Sequence, residues 1–429
     1  MRDEGFSEDR VVFVAVLLLA LASGATASDQ RYLFNKLDLA AGKSPSAVAT
    51  GDFRGIGKLD LGVANRDSNS ISVFLGKPDG TFQRAVDYDV LASPLSVAVG
   101  DFNRDHKPDI VVADRSVSRV SILLGNGDGT FQPHVDYPSG TGTPPALYFI
   151  ATGDFNNDGK LDLAVANIDS GLIDILLGKG DGTFLPFIEH PGGFGHPDSL
   201  AVGGFNNDGK LDLASTSEGS NGVSVWLGNG DGTLGVPQSY FGDWAYHRSV
   251  TVADYNGDGN LDLAVNGSQG IWIFPGKGDG TFGMPMSYVP VGGDDLISVD
   301  IDGDGAPDIT GASAIPTAIF NTPVAALYPN RFDFGRQSLS TSSVSRTATF
   351  SNAGPAPIFI KSIALTSLNR TEFTETHTCG DTLAPGENCT ITVASTPVTA
   401  GFKWAYVTIL DNAQHKLQEV TLTGTAVAP

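Results

Sequence analysis

The chain has 429 residues and a formal charge of −22, which excludes the basic footprint of a nucleic-acid-binding protein. Its 53 glycines and 24 prolines sit beside 41% apolar residues, too hydrophobic for disorder and too rich in turn formers for a helical bundle. The length exceeds one ordinary core, so at least two domains are expected.

From the N-terminus, residues 11–22, VVFVAVLLLALA, form an apolar run too short to cross a bilayer comfortably. SGATA follows, with Ala25 and Ala27 placed for cleavage after Ala27, so residues 1–27 read as a signal peptide. The stretch before them, MRDEGFSEDR, carries four acids against two arginines, the reverse of an export signal's bias; an uncleaved anchor is the other reading. No second hydrophobic span follows. The expected location is secreted or cell surface, with no membrane span in the mature chain.

RYLFNKLDL (31–39) reads as a single strand. After it a nine-residue acidic pattern recurs six times: DFRGIGKLD (52–60), DFNRDHKPD (101–109), DFNNDGKLD (154–162), GFNNDGKLD (204–212), DYNGDGNLD (254–262) and DIDGDGAPD (300–308). A second pattern, of the type GDGTF, recurs five times, around Asp79, Asp128, Asp181, Asp231 and Asp279. Loop start and turn aspartate are 27 residues apart in the first four units and 25 in the fifth. Each unit reads as strand, acidic loop, strand, short loop, strand, turn, strand. Such a four-stranded unit cannot bury both faces alone, and radial repetition as propeller blades solves this. A linear β-solenoid, the alternative, uses shorter repeats without these hairpin turns.

The two motifs recur in phase and resemble the FG-GAP/VCBS repeats, whose family includes the integrin α-chain propeller. The resemblance covers residues 31–321. It implies that each acidic loop joins the inner strand of a blade to the second, and that the strand after the turn is the outermost. In this phase the sixth unit has strands around LISVDID, PDITGAS and PTAIFN but no fourth, so the strand at 31–39 is expected to complete it and close a six-bladed ring.

The acidic loops suit a hard cation. Carboxylates or amides at positions 1, 3, 5 and 9, with a carbonyl at 7 and a glycine at 6, can surround Ca²⁺ with oxygens. The loop resembles the first part of an EF-hand loop without its final glutamate. Full donor sets are Asp154, Asn156, Asp158, Lys160 (by its carbonyl) and Asp162; Asp254, Asn256, Asp258, Asn260 (by its carbonyl) and Asp262; and Asp300, Asp302, Asp304 and Asp308. Asp101, Asn103, Asp105 and Asp109 keep all four side chains but have His106 in place of glycine. Gly204 deletes the first donor of the fourth loop, leaving Asn206, Asp208 and Asp212. In the first loop Arg54 and Ile56 replace two donors, and Arg54 is expected to stand in for a cation beside Asp60. About four to five Ca²⁺ ions are expected. The plainer alternative is a set of turns rich in Asn and Asp that need no ion. The turn aspartates read as turn formers.

Residues 322–429 have no acidic loops. Short alternating runs such as TATFSN, CTITVAS, AYVTILD and QEVTLTG point to an immunoglobulin-like β-sandwich. RFDFG, FSNAGPAPIFI, LAPGENCTITV and VTLTGTA resemble the hydin-like immunoglobulin-type domains of exported bacterial proteins. Cys379 and Cys389 are the only cysteines, and in an exported chain the pair suggests a disulfide. The fold expected is therefore all-β: a six-bladed β-propeller followed by an immunoglobulin-like β-sandwich.

No HExxH or GxSxG motif is present, and neither cysteine reads as a nucleophile. The expected function is adhesion or recognition of a glycan or an extracellular protein; a polysaccharide lyase or hydrolase built on the propeller is the alternative. Because strand direction alternates, acidic loops and GDGT turns emerge on one face. The other face receives Arg66, Arg115 and Arg119 in hairpin loops, Tyr148 and Phe194 in connections, and Trp244, Tyr246, His247 and Arg248 in one run. Exposed Trp, Tyr and Arg dominate binding energy at interfaces, so this is the candidate ligand face. Trp244 and Tyr246 have the alternative of packing between blades.

Overall fold

The computed structural model describes residues 39–428, apart from 142–146, 194, 218–221, 242–248, 268–269, 289–294, 301–305, 313–316, 320–323, 355 and 414–416. The leader, and all but Leu39 of the strand expected to close the ring, lie outside the described residues. Those described are β throughout, apart from two single turns of 3-10 helix, Arg66–Ser68 and Arg370–Glu372. They fall into two compact units. One runs to Val252 and adds Leu261–Ile297 and Thr310–Ala318; the other comprises Ala253–Asn260, Ser298–Ile309 and Ile319–Pro429.

Each acidic repeat folds as one antiparallel sheet in chain order. The first sheet is Pro45–Gly51, Asp60–Asn65, Ser70–Phe74 and Val86–Asp89; the second is Pro94–Gly100, Asp109–Asp114, Arg119–Leu123 and Val135–Pro138. The third (Leu147–Gly153, Asp162–Asn167, Leu172–Leu176, Ile188–Pro191), the fourth (Pro197–Gly203, Asp212–Ser217, Gly222–Trp226, Gln238–Phe241) and the fifth (Val250–Ala253, Asp262–Gly267, Gly270–Phe274, Met286–Tyr288) repeat the plan. A sixth has three described strands, Asp295–Val299, Asp308–Ala312 and Thr317–Ile319.

The second strands, DLGVAN, DIVVAD, DLAVAN and DLASTS, are buried at every position rather than alternately. Burial on both faces is the reason, because each sheet is covered by its neighbours. Val73 and Ile71 of the first sheet share a core with Ile110, Val112 and Leu123 of the second. Val111, Val120 and Ile122, on the second sheet's other face, share one with Ile150, Leu163 and Leu176 of the third. The inner strands Pro45–Gly51, Pro94–Gly100, Leu147–Gly153 and Pro197–Gly203 lie side by side in that order, so the sheets fan out from them in a propeller-type arrangement.

A polar bond sews each of the first five sheets to the next among them. The amide of Gly129, in the second sheet's GDGT turn, donates to the carbonyl of Phe53 in the first acidic loop at 3.1 Å. Gly182 with Phe102, Gly232 with Phe155 and Gly280 with Phe205 repeat it at 3.0, 3.0 and 2.9 Å. Rings stack beside the bond: Phe53 meets Phe131 edge-on at 5.1 Å, and Phe131 meets Tyr88 at 5.5 Å.

In the second unit two four-stranded sheets enclose one core. Ala325–Tyr328, Arg346–Asn352, Asn388–Ser395 and Phe373–His377 make one; Arg331–Ser338, Leu417–Val427, Gly401–Leu410 and Ser362–Thr366 make the other, with Arg331–Ser338 and Leu417–Val427 parallel. Strict alternation in Asn388–Ser395 sends Cys389, Ile391 and Val393 inward to meet Phe334, Val407 and Leu422. The Cys379–Cys389 disulfide is formed and ties neighbouring strands together.

Candidate functional site

The acidic loops share one backbone. Positions 4 and 6 are left-handed in each of the first five: Gly55 and Gly57, Arg104 and His106, Asn157 and Gly159, Asn207 and Gly209, Gly257 and Gly259. His106 adopts φ 63°, the conformation that glycine takes without a Cβ clash, so the histidine does not change the loop's shape.

The donors of sequence positions 1, 3 and 5 turn into the loop and accept its own amides. Asp154 accepts N–H from Asp158 at 3.0 Å and Gly159 at 2.8 Å; Asn156 accepts Asp158 at 3.1 Å; Asp158 accepts Lys160 at 3.0 Å. Asp101, Asn103 and Asp105 repeat this with Asp105, His106 and Lys107, and Asp254, Asn256 and Asp258 with Asp258, Gly259 and Asn260. In the fourth loop Asn206 and Asp208 keep their bonds, while Gly204 offers no side chain. The Lys160 ammonium sits 2.8 Å from Asp158 Oδ2 and holds that carboxyl below its usual range.

Position 9 behaves differently. Asp60, Asp109, Asp162, Asp212, Asp262 and Asp308 are fully buried. Asp162 Oδ2 accepts the amide of Phe155 at 2.9 Å and Oδ1 that of Gly178 at 2.7 Å, clamping the loop to the turn ahead of the outer strand. Asp60, Asp109 and Asp212 make the same pair of bonds. The clamp needs glycine at its far end: a Cβ on Gly178 would lie 2.1 Å from the Leu161 carbonyl oxygen. Burial pushes Asp109 and Asp162 up to about 6 against the downward pull of the two amides, and nearby loop acids add to the rise. Each carboxylate oxygen has a second lone pair beyond its amide bond.

In the first loop Arg54 lays its guanidinium on this buried carboxylate, with Nη2 to Asp60 Oδ1 and to the Gly76 carbonyl at 2.6 Å each. The expected stand-in for a cation is thus in place. Elsewhere the donor set is oxygen-only, the chemistry of a hard cation. Among the described residues no three His, Cys, Asp or Glu side chains draw together as a metal-holding group. Asp300 and Asp308 are described, whereas Asp302 and Asp304 are not. The turn aspartates are turn formers: Asp181 Oδ1 accepts the Thr183 amide at 3.0 Å and its hydroxyl at 2.5 Å, and the other four do likewise.

At the opposite ends of the strands, Arg66, Arg115 and Arg119 are exposed. The Arg66 Nε donates to Asp67 at 3.0 Å. Tyr148, expected in a connection, lies inside the strand Leu147–Gly153. Phe194, Trp244, Tyr246, His247 and Arg248 lie outside the described residues. No helix among those described is long and apolar enough to cross a membrane.

Sequence reasoning missed a polar row under this second face. In the first sheet Asn65 Nδ2 donates to Ser72 Oγ at 2.9 Å, and Ser72 donates to Asp87 at 2.6 Å. The second sheet places Asp114, Ser121 and Asp136 in the same positions. In the third, buried Asp174 pairs with Glu189 across the strands and accepts the Ser139 hydroxyl at 3.1 Å.

Five overlapping stretches, 52–112, 101–165, 154–215, 204–265 and 254–310, match the profile of the FG-GAP-like repeat. No curated protein matches the chain. Similar solved structures include an Agrocybe aegerita lectin described as recognising non-reducing terminal N-acetylglucosamine: 20% identity over 73% of this chain and 80% of the lectin, TM-score 0.47. A periplasmic gluconolactonase of Pseudomonas aeruginosa is 16% identical over 67% of this chain and 87% of the enzyme, TM-score 0.47. Likeness at this level says nothing about chemistry.

Proposed function

This chain belongs to the FG-GAP-like repeat family, and from that premise we propose that it is an exported calcium-binding recognition module. Its repeats form a six-bladed ring over residues 31–321, closed by the strand at 31–39, and residues 322–429 form an immunoglobulin-like, hydin-type domain. Ca²⁺ is held by the loops starting at Asp101, Asp154, Asp254 and Asp300, through the side chains at positions 1, 3, 5 and 9 and the carbonyl at 7. The ion neutralises carboxylates that otherwise repel one another. The observation that carries this reading is the shared loop backbone, which turns Asp154, Asn156 and Asp158 inward around one set of left-handed kinks. The disulfide supports an oxidising, extracytoplasmic setting.

The opposite face, with exposed Arg115 and Arg119, binds a glycan or an extracellular protein. A sheet scaffold sewn together on the loop side leaves that face free to present hairpins at fixed positions. The test is a glycan and protein array, followed by Arg115→Ala and Arg119→Ala assayed on the ligand found. Binding is expected to weaken at least tenfold with an unchanged melting temperature. Normal binding by both variants would move the site elsewhere, and turnover of a polysaccharide would favour the enzyme reading.

A further inference from the structure

We infer that Asp114 carries a proton in the native fold under mildly acidic conditions and donates it to Ser121, making the second sheet a pH-sensitive latch. The argument is a count of protons. Ser121 Oγ lies 2.5 Å from Asp114 Oδ2 and 2.8 Å from Asp136 Oδ1. Two hydrogen bonds along that row of three oxygens need two protons, and a serine hydroxyl supplies one. The other belongs to a carboxyl group. Asp136 Oδ1 also meets His134 Nδ1 at 2.7 Å, a contact in which an Nδ1–H tautomer donates to an ionised carboxylate, and its side chain is partly open to water. Asp114 is fully buried. The proton therefore sits on Asp114, which donates to Ser121, which donates to Asp136.

The first sheet supplies an internal control. There Asn65 occupies the place of Asp114, and its amide Nδ2 donates to Ser72, which donates to Asp87. A neutral Asp114 reproduces that relay; an ionised one cannot. The charged and titratable groups around it do not outweigh its burial. Arg119, opposite Asp114 in the register, is exposed and makes no ion pair with it among the described residues. Asp136 repels a charge there, and His134 beside it attracts one. From the connection packed above come the amide of Ala92, 3.4 Å from Oδ1, and the apolar Val90, while Asp89 is exposed. Burial accordingly outweighs the Ser121 and Ala92 bonds and pushes the carboxyl up to about 6. Above that range the relay loses a donor: Ser121 has one proton for two carboxylates, so the side-chain link across the hairpin that carries Arg115 and Arg119 weakens, while the Ala92 amide keeps its acceptor.

The test combines two variants and one direct observation, at constant calcium. Selective 13C labelling of aspartate carboxyls, with the Asp114 signal assigned by its loss in Asp114→Asn, should show a titration midpoint near 6; a midpoint near 4 overturns the inference. Asp114→Asn, which copies the first sheet, should melt above the wild type by several degrees at pH 8, with a clearly smaller difference at pH 5. A gap that does not change with pH counts against the latch. Asn65→Asp should install the same pH dependence in the first sheet, and keeps the question answerable if Asp114→Asn folds poorly.

Discussion

A buried carboxylate is tolerated here only with a named partner, and the single residues show what happens when the partner changes. Asp60 faces the Arg54 guanidinium besides its two amides, whereas its counterparts Asp109 and Asp162 have the two amides and, among the described residues, no arginine or lysine side chain on them. Arg54→Met should therefore leave an uncompensated buried charge and cost about 3 kcal/mol, read as a lower denaturant midpoint with an unchanged slope. Asp174 is the opposite case. Burial pushes its carboxyl up to about 7, the Ser139 hydroxyl opposes this and the Glu189 charge adds to it. Because the folded value lies above the unfolded one, the native state holds a proton that the unfolded chain releases. The group's contribution is present below about pH 4 and is lost as pH rises towards 7. Asp174→Asn should remove that dependence and stabilise the protein at pH 8 by roughly 2–4 kcal/mol, with little effect at pH 4. Melting curves across this window check it.

Between elements, stability resides in the bonds that sew one sheet to the next. Phe184 is 5% exposed and packs against Phe102 of the preceding loop at 5.9 Å and Tyr137 at 5.3 Å. Phe184→Ala should cost about 3–5 kcal/mol through the cavity it leaves. Its effect should appear as faster amide exchange in both the second and third sheets, since the ring belongs to the seam between them. In the second unit Glu372 plays a comparable part. Burial pushes its carboxyl up, but Lys403, Thr399 and the Val398 amide outweigh that and hold it below its usual range.

For the molecule as a whole, the proposed ions make stability a matter of mass action. A chelator should lower the melting temperature and calcium should restore it; Asp158→Ala should reduce that response. A melting curve indifferent to both would leave the loops as turns that need no ion. Much of this organisation was legible beforehand. The acidic loops fixed where inner and second strands meet, since Asp60, Asp109, Asp162, Asp212 and Asp262 each begin a second strand. The turn role of Asp79 and its relatives followed from the GDGT pattern. Two things were hidden. Tyr148 was placed in a connection, yet the strand starts at Leu147, across a register shift at Asn167. The row Asp114, Ser121, Asp136 is invisible without the register, since its members are separated by 7 and 15 residues and meet only when three strands are aligned.

The bond from each turn glycine to the loop before it also bears on how such a chain changes in number of parts. Gly129 reaches back to Phe53, Gly182 to Phe102 and Gly232 to Phe155, always from one repeat to its predecessor. A recombination event between equivalent points of two repeats deletes or duplicates one whole period, and every remaining repeat still finds a correct predecessor. The contact survives because both its ends are supplied by every copy that carries the acidic loop and the turn together, as the first five do. Residues peculiar to one copy, such as Arg54 in the first loop or Asp114 in the second sheet, do not share this protection. Lineages in which the repeat number drifts should lose such individual features sooner than the joints between repeats.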